Sequence, residues 1–201
     1  MTTKEKILIA ALKLFNKHGI NSITVRHIAK EVGISHGNLC YHFPNTNTII
    51  AALYENLVEQ FDVILDSLVP NENAFEALTQ SMYRIFELVN KYKFLFLHFV
   101  EISRRIPSIK RRHFALIEMR KIQIREFTAI FENQGYYRTD LPDSQYEWLI
   151  TQIFVYGDFW LSSSELLYRG NQKDKVSFYV QGYMALFIPY LTEKGKKLVL
   201  K

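Results

Sequence analysis

The chain has 201 residues, a formal net charge of +5, one cysteine and 48% hydrophobic residues. This length allows one small and one larger domain, with enough apolar side chains for a substantial core. A single cysteine, Cys40, excludes an intrachain disulfide and gives no indication of an oxidising compartment. Glu5 and Lys13 interrupt the first apolar residues, and the longest apolar stretch, 94–100, is too short to span a bilayer. We therefore expect a soluble, cytoplasmic protein with no membrane segment.

Apolar residues at helical spacing predict helices along the whole chain, and no segment shows the alternating period of a strand. The first helix runs from about Thr3 to Lys17 and ends at Gly19. After residues 24–43 and a break at 44–46, a long helix is predicted over about 47–68, ending before Pro70. Further helices are predicted over about 72–90, 92–104, 107–133, 143–167 and 173–193. The predicted fold class is all-α.

Residues 24–43 predict two short helices joined by a tight turn, in the sequence TVRHIAKEVGISHGNLCYHF. Thr24 is a favourable N-cap for the first helix, and Ser35 is one for the second. Gly33 permits the positive φ that the turn needs, and Ile34 would anchor the turn in the core. The first helix has one apolar face, formed by Val25, Ile28, Ala29 and Val32. This layout is a helix-turn-helix, whose second helix enters the major groove of DNA.

Several groups of residues in this stretch follow a known signature in register, namely Thr24-Val25-Arg26, Ile28-Ala29, Gly33-Ile34-Ser35, Gly37-Asn38-Leu39 and Tyr41-His42-Phe43. They resemble the N-terminal signature of the TetR family of bacterial transcriptional regulators. The resemblance covers about a quarter of the chain. It implies an N-terminal three-helix DNA-binding domain at 1–46 and a larger helical domain for ligand binding and dimerisation at 47–201, with 47–68 as the connecting helix. The alternative is a helical subdomain that has kept this shape without the DNA contacts.

Positive charge is concentrated at the same end of the chain. Residues 1–47 contain six basic and two acidic side chains, a net charge of +4, whereas the remaining residues have nineteen and eighteen, a net charge of +1. Neutralising DNA phosphates requires such an excess. A second basic run is interpreted as a solvated loop and helix start, with an anion or acidic-partner site as the alternative; it consists of Arg104, Arg105, Lys110, Arg111 and Arg112.

The predicted DNA-binding residues are mostly small or hydrogen-bonding groups: Thr24, Arg26, Ser35, His36, Gly37, Asn38, Tyr41, His42 and Thr46. Thr24, Arg26 and Ser35 lie at helix starts, where their polar groups would hold phosphates. Asn38 is the main candidate for base recognition, because its amide can pair with adenine N6 and N7. Gly37 would let the backbone approach DNA closely. Leu39 and Phe43 are expected in the core.

Two positions depart from the family pattern. Members usually have a Tyr in place of Cys40 and a Lys in place of Thr46, so we expect weaker non-specific DNA affinity, while Thr46 would still cap the connecting helix. His36, Cys40 and His42 raise the alternative of a metal site, but no further ligand is evident. A redox role for Cys40 is a second alternative to a packing role. No metal or cofactor is expected.

The last two long helices each have a broad apolar face. The resemblance implies that this pair packs against its twin in a homodimer, and the predicted interface residues are Ile150, Phe154, Gly157, Leu161, Val180, Tyr183, Met184 and Phe187. Gly157 and Gly182 would allow close helix approach. The alternative is that both faces are buried within one chain.

The middle of the chain is rich in aromatic residues with a few polar groups among them, which is typical of a small-molecule site. The predicted effector pocket consists of Phe86, Phe94, His98, Glu101, Phe127, Phe154, Asp158 and Trp160. The alternative for each residue is plain core packing.

Together these features predict a ligand-responsive regulator, most simply a repressor that binds a palindromic operator in double-stranded DNA as a homodimer. A small apolar or amphipathic effector would release it. An enzyme is not expected, because no nucleophile triad, carboxylate pair or phosphate loop is evident. The alternative is a DNA-binding regulator without a small-molecule effector, controlled by a protein partner.

Overall fold

A computed structural model of the chain describes residues 1–68 and 74–199. Within these ranges the fold is all-α as predicted, and β-type pairing is limited to an isolated bridge between Tyr137 and Leu191. The helices are α1 (Thr3–His18), α2 (Val25–Val32), α3 (His36–His42), α4 (Thr46–Asp66), α5 (Ala74–Lys91), α6 (Lys93–Leu97), α7 (Phe99–Arg105), α8 (Pro107–Asn133), α9 (Asp143–Leu167), α10 (Lys175–Ala185) and α11 (Glu193–Val199), with a 3-10 helix at Ile188–Tyr190. In the described part of the chain, none of these helices is long and apolar enough to cross a membrane.

The chain divides into two compact units. The N-terminal unit contains Met1–Asp62 and Lys91–Arg112, and the C-terminal unit contains Val63–Asn90 and His113–Lys201. The three boundaries between them fall within α4, at the end of α5 and within α8. The N-terminal unit therefore includes α6 and α7, which are distant in sequence from α1 to α3. The predicted domain boundary after residue 46 does not coincide with this division and stays a prediction.

The N-terminal unit is held together by packing of α1 against the segment that begins α6. The Phe15 and Phe94 rings, each about 1% exposed, have centroids 5.2 Å apart. The Asn16 side chain accepts a hydrogen bond from the Phe94 N–H and donates one to the Lys91 carbonyl, at 3.0 and 2.8 Å. A single amide thus satisfies an N–H group at the start of α6 and a carbonyl group at the end of α5, both of which helix ends leave unpaired. This contact positions α6 and α7 on the unit that contains α2 and α3.

The long helix α4 begins and ends differently from its prediction. Asn45, rather than Thr46, caps it, because the Thr48 N–H donates to Asn45 Oδ1 at 3.1 Å and Thr46 is already helical. The prediction that Thr46 caps this helix is therefore wrong. The helix ends at Asp66, and the predicted stop at Pro70 lies outside the described residues.

Two other predicted helices are each divided. The helix expected over 92–104 is interrupted at His98, whose φ of −119° separates α6 from α7. The helix expected over 173–193 ends at Ala185, and the following residues form the 3-10 helix that contains Pro189. Proline has no N–H and clashes with the preceding helical turn, so α10 does not continue through it.

The core of the C-terminal unit is built from aromatic rings on α5, α9 and α10. Phe86 is stacked on Trp160 at 5.0 Å and meets Tyr183 edge-on at 5.4 Å. The Tyr156 hydroxyl donates to the Tyr179 carbonyl at 3.0 Å. A Cβ at Gly182 would meet the Tyr156 hydroxyl, so the missing side chain lets the Tyr156 ring lie against α10. The predicted close approach of helices is seen at Gly182, whereas a Cβ at Gly157 would meet no atom within 4 Å.

Candidate nucleic-acid interface

The helix α2 begins with the cap that its sequence predicts. The Thr24 hydroxyl accepts a hydrogen bond from the His27 N–H, and the His27 ring nitrogen Nδ1 accepts one from the Thr24 N–H, both at 3.4 Å. This is the reciprocal arrangement of a capping box, with histidine at the position where glutamate or glutamine is usual. His27 is not among the residues predicted from the sequence to have a role at this helix start. Ile28 and Ala29 bury the inner face of the helix.

The turn between α2 and α3 is a Schellman motif at Gly33. Its φ of 76° and ψ of 32° are left-handed, as predicted. The Gly33 N–H donates to the Lys30 carbonyl at 3.2 Å, and the Ile34 N–H donates to the Ala29 carbonyl at 3.0 Å. These bonds satisfy carbonyl groups that the helix end leaves unpaired. The turn therefore fixes the direction in which α3 leaves α2.

The helix α3 is held at one side and open at the other. The Ser35 hydroxyl caps it by accepting from the Asn38 N–H at 3.1 Å. Leu39 is fully buried and Phe43 is 4% exposed, which confirms their predicted place in the core. Tyr41, by contrast, is 86% exposed. The buried side chains of Leu39 and Phe43 thus fix α3, while its polar side remains accessible.

The structure places all nine predicted DNA-binding residues in the N-terminal unit. Seven of them are exposed, namely Thr24, Arg26, Ser35, His36, Gly37, Asn38 and Tyr41, and two are half-buried, namely His42 and Thr46. A Cβ at Gly37 would meet no atom within 4 Å, so the backbone there faces open space. The arrangement permits close approach of a nucleic acid to α3. The individual contacts remain predictions.

The charge of the N-terminal unit is larger than residues 1–47 alone suggest. Residues 91–112 contain seven basic side chains and one acidic side chain, and residues 48–62 contain three acidic ones, so the unit has a formal net charge of +7. The C-terminal unit has −2. The second basic run, predicted to be a solvated loop and helix start, contributes five of the seven basic side chains in residues 91–112. A unit with this charge attracts a polyanion.

An exposed ion pair joins α1 and α2. The Lys13 ammonium donates a hydrogen bond to the Glu31 carboxylate at 2.8 Å. This hydrogen bond, and the lysine charge behind it, lower the pKa of Glu31 below its ordinary value, while the pKa of Lys13 is raised by the same contact. One of the two acidic side chains in 1–47 is thereby paired.

Cys40 contacts His36 within α3. Its sulfur lies 3.4 Å from His36 Nε2, one helical turn away, and the side chain is half-buried. Among the side chains that the structure describes, no group of three or more His, Cys, Asp or Glu residues is arranged to hold a metal ion. The contact fits the packing interpretation of Cys40.

The structure divides the predicted effector-pocket residues between the two units. Phe94, His98 and Glu101 belong to the N-terminal unit, where Phe94 packs on α1 and the Glu101 carboxylate accepts a hydrogen bond from Asn21 at 3.0 Å. These three residues therefore have structural roles next to the helix-turn-helix. The other five, Phe86, Phe127, Phe154, Asp158 and Trp160, belong to the C-terminal unit. Their pocket role stays a prediction.

Most of the predicted dimer-interface residues are buried within the chain itself. Six of the eight have exposures of 8% or less, namely Ile150, Leu161, Val180, Tyr183, Met184 and Phe187, and Phe154 and Gly157 are half-buried. These side chains fill the core of the C-terminal unit, which is the alternative stated for this helix pair. They are not available to a partner. The same helices expose other apolar residues, described below.

Comparisons with known proteins agree with this geometry. The sequence model described as "Bacterial regulatory proteins, tetR family" matches residues 7–53. The model described as "TetR: Bacterial transcriptional repressor" matches residues 51–199. The chain belongs to the TetR family. Members of this family are DNA-binding transcriptional regulators and not enzymes, so the predicted family and the predicted absence of enzymatic activity are both confirmed.

Characterised relatives include several regulators. The chain is 26% identical over 198 residues to the transcriptional repressor KstR2 of Mycobacterium tuberculosis, covering 94% of this chain and 93% of that protein. It is 34% identical over 95 residues to IcaR, the negative regulator of the biofilm operon icaADBC in Staphylococcus aureus, covering 44% and 49%. The match to the probable regulator YttP of Bacillus subtilis, at 24% identity, covers 45% of this chain and 44% of that protein.

Solved structures show the same fold. A TetR-family regulator from Marinobacter aquaeolei VT8 superposes with a TM-score of 0.86 at 23% identity, covering 100% of this chain and 97% of that one. SmeT, the repressor of the Stenotrophomonas maltophilia multidrug efflux pump SmeDEF, superposes with a TM-score of 0.68 at 18% identity, covering 96% and 92%. At these identities the likeness concerns the fold alone.

Proposed function

We propose that this TetR-family regulator is a repressor that binds a palindromic operator as a homodimer and is released by a small apolar or amphipathic effector. The observation that carries the proposal is the capped, exposed helix α3 on a unit with a formal net charge of +7. The repressors KstR2 and IcaR among its relatives support the direction of regulation. Bacterial operators lie on cytoplasmic DNA, which gives the proposed location.

On DNA, α3 would lie in the major groove. The Thr24 and Ser35 hydroxyls and the Arg26 guanidinium would contact phosphates and set the register. Asn38, exposed one turn into α3, would read adenine through its amide. Tyr41 would contact a phosphate or a base edge from the far end of the helix, where its exposed ring lies edge-on to His42 at 5.3 Å.

For dimerisation, the exposed side of α9 offers a better surface than the residues first predicted. Trp148, Val155, Phe159 and Leu166 are spaced seven, four and seven residues apart, which puts them on one side of the helix. Their exposures are 65%, 57%, 44% and 72%. The stripe spans about 27 Å of helix at 1.5 Å per residue. An apolar stripe of this length marks a protein interaction site, and a second copy is the partner that two-fold recognition requires.

The dimer is tested by replacing Phe159 with glutamate, which would bury a charge at the interface. Light scattering after size-exclusion chromatography is expected to show a dimer for the wild type and a monomer for Phe159→Glu. Ile122→Glu on α8 is the control, because Ile122 is also exposed, at 60%, and lies outside the stripe. A Phe159→Glu protein that remains dimeric would place the interface elsewhere.

For the effector, the C-terminal unit supplies an unsatisfied donor beside open space. Trp160 is 2% exposed and its Nε1–H has no hydrogen-bond partner in the described structure. Gly157, one turn away on the same side of α9, would meet no atom within 4 Å if it carried a Cβ. A buried donor without a partner costs free energy until an acceptor reaches it. We infer that the effector has an apolar body and a hydrogen-bond acceptor.

Neighbouring polar groups fit an amphipathic effector. His113 Nε2 and Asp158 Oδ2 lie 3.3 Å apart. Burial, reinforced by the negative charge of Asp158, raises the pKa of the Tyr183 phenol. Burial also raises the pKa of Tyr156 to about 12. The SmeT–triclosan complex shows that one structural neighbour binds a small molecule.

The decisive experiment is a gel shift with the intergenic DNA upstream of the gene. The wild type is expected to give a salt-sensitive shift. Asn38→Ala combined with Tyr41→Ala is expected to weaken it at least tenfold, because a good base contact contributes about 1–3 kcal/mol of discrimination. Asn133→Ala, at an exposed position on α8, is the control. Equal binding by the double variant would overturn the assignment of α3, and the absence of any shift would overturn DNA binding at this site.

A further inference from the structure

The end of α7 places an arginine beside the start of α4. Arg105 Nη2 donates a hydrogen bond to Thr46 Oγ1 at 3.0 Å, although the two residues are 59 positions apart in sequence. Both belong to the N-terminal unit, and the Arg105 side chain is exposed. The hydroxyl therefore holds a solvent-facing guanidinium at the first turn of α4.

This position is close to the C-terminal end of α3. Only Phe43, Pro44 and Asn45 separate the end of α3 from Thr46, so Thr46 lies within about 14 Å of His42 by chain length alone. Phe43 is buried, which fixes the connection to the core. The guanidinium, bonded to Thr46, thus lies near the C-terminal end of the helix that is proposed to enter the major groove.

The charge of Arg105 is not compensated. Within the part of the chain that the structure describes, no carboxylate lies within ion-pair distance of it, and its contact is to a neutral hydroxyl. Arg112 of the same unit, by contrast, is paired with Glu55 at 3.4 Å. A guanidinium has five N–H donors, and one of them is used here. The remaining donors are in the geometry that suits a phosphate.

We propose that Arg105 binds a backbone phosphate of double-stranded DNA and forms, with Thr46, a second DNA-anchoring point outside the helix-turn-helix. This inference rests on the proposed function. The contact would add affinity without sequence preference, because every base pair presents the same phosphates. It assigns a ligand to one residue of the basic run at 104–112, which the helix-turn-helix does not explain.

A purely structural role for Arg105 makes a different prediction. As a cation in the last turn of α7 it would interact with the helix dipole, and its hydrogen bond would join α7 to α4. Such a role would change stability but not the number of counterions released on DNA binding. Arg105→Gln separates the two roles, because glutamine keeps an N–H donor for Thr46 and removes the charge.

The test measures DNA affinity by fluorescence anisotropy as a function of salt, with a labelled duplex of about 30 base pairs and mixed sequence, long enough for two half-sites. Each phosphate contact contributes about 0.9 to the slope of log K against log salt concentration. Arg105→Gln and Arg105→Ala are each expected to lower the slope by about 0.9 per bound chain. Arg105→Lys, which keeps the charge, is expected to retain it.

Arg112→Ala is the matched control. It removes the same charge from the same unit, but it lies at Glu55, nine residues or about 14 Å along α4 from Thr46. Its slope is expected to equal that of the wild type. Arg105→Ala combined with Thr46→Lys restores a positive charge at the proposed phosphate and is expected to restore the slope.

The outcomes separate this inference from the proposed function. A salt-sensitive wild type with an unchanged slope in Arg105→Gln would overturn the Arg105 contact and leave DNA binding by α3 intact. An equal loss of slope in Arg112→Ala would also overturn it, because the effect would then be one of net charge. A wild type without salt-sensitive binding to any duplex would overturn DNA binding itself. Thermal unfolding of each variant verifies that it is folded.

Discussion

The N-terminal and C-terminal units differ most clearly in their net charge. The N-terminal unit has a formal net charge of +7 and leaves Tyr41 86% exposed on α3. The C-terminal unit has a net charge of −2 and buries Phe86, Trp160 and Tyr183 in one stacked cluster. The first arrangement suits binding to a polyanion at the surface, and the second suits packing or binding in an apolar interior. Sequence composition averaged over the whole chain conceals this difference.

The largest expected effect tests the aromatic cluster of the C-terminal unit. Phe86→Ala is expected to lower the free energy of unfolding by about 3–5 kcal/mol, because it removes a 1% exposed ring and leaves a cavity between Trp160 and Tyr183. Denaturant unfolding followed by circular dichroism measures it. Phe114→Ala is the control, since Phe114 is 67% exposed and its loss is expected to stay within about 0.5 kcal/mol. Similar losses in both variants would contradict this contrast.

A pair of glycines tests the helix-turn-helix of the N-terminal unit. Gly33→Ala is expected to destabilise by about 1–2 kcal/mol, because a left-handed residue with a Cβ is strained. Gly37→Ala, with ordinary helical geometry and open space, is expected to stabilise by about 0.5 kcal/mol. The same Gly37→Ala variant is expected to bind DNA more weakly, since its methyl group would stand between the backbone and the groove. Thermal unfolding measures the stability and fluorescence anisotropy measures the DNA affinity. If Gly37→Ala raised both the stability and the DNA affinity, the groove-facing role of Gly37 would be refuted.

The cap of α3 allows stability and DNA binding to be separated at one position. Ser35→Ala is expected to cost about 1 kcal/mol, because the Asn38 N–H loses its acceptor. Ser35→Asp keeps a good cap and is expected to retain stability, but its negative charge would repel a phosphate and weaken DNA binding. Anisotropy titrations beside thermal unfolding distinguish these effects. If Ser35→Asp bound DNA with the affinity of the wild type, the assignment of Ser35 as a DNA-contacting residue would be wrong.

The smallest expected effect is the pH dependence of the Lys13–Glu31 pair. The pKa of Glu31 is lowered in the folded state, so the pair stabilises the protein above the unfolded-state pKa of about 4.5, and this contribution is lost as the pH falls through the folded-state pKa. Because the pKa of Lys13 is raised, the contribution is also lost at high pH. Glu31→Gln is expected to lower the unfolding midpoint slightly at pH 7 and not at all at low pH. Glu193→Gln, which breaks the exposed pair with Lys196 within α11 of the other unit, is expected to show the same pH dependence, because the hydrogen bond from Lys196 lowers the pKa of Glu193.

Local signals in the sequence were sufficient to predict the helix-turn-helix. Thr24, Gly33 and Ser35 each act through hydrogen bonds or dihedral angles within about five residues, and the structure confirms all three. The end of α10 was not predicted at its observed position, because the effect of Pro189 depends on how the preceding turn ends. His27 was missed because histidine is an unusual partner in a capping box.

The surface assigned to dimerisation could not be predicted from periodicity. A helical period identifies an apolar face, but it does not say whether the same chain or a second chain covers that face. The structure buries Leu161 and Val180 in the C-terminal unit and leaves Val155 and Phe159 exposed. For a related reason, periodicity could not show that Phe94 and His98 belong to a different unit from the other predicted pocket residues.

The sequence alone determined the all-α class, the family, and the fact that α3 is capped at Ser35 with Leu39 in the core, because these properties depend on nearby residues. Tertiary structure decided which distant segments share a unit. It placed residues 91–112 with the helix-turn-helix and Arg105 at Thr46, across 59 residues of intervening chain. Such contacts depend on how the helices pack, and no local pattern in the sequence records them.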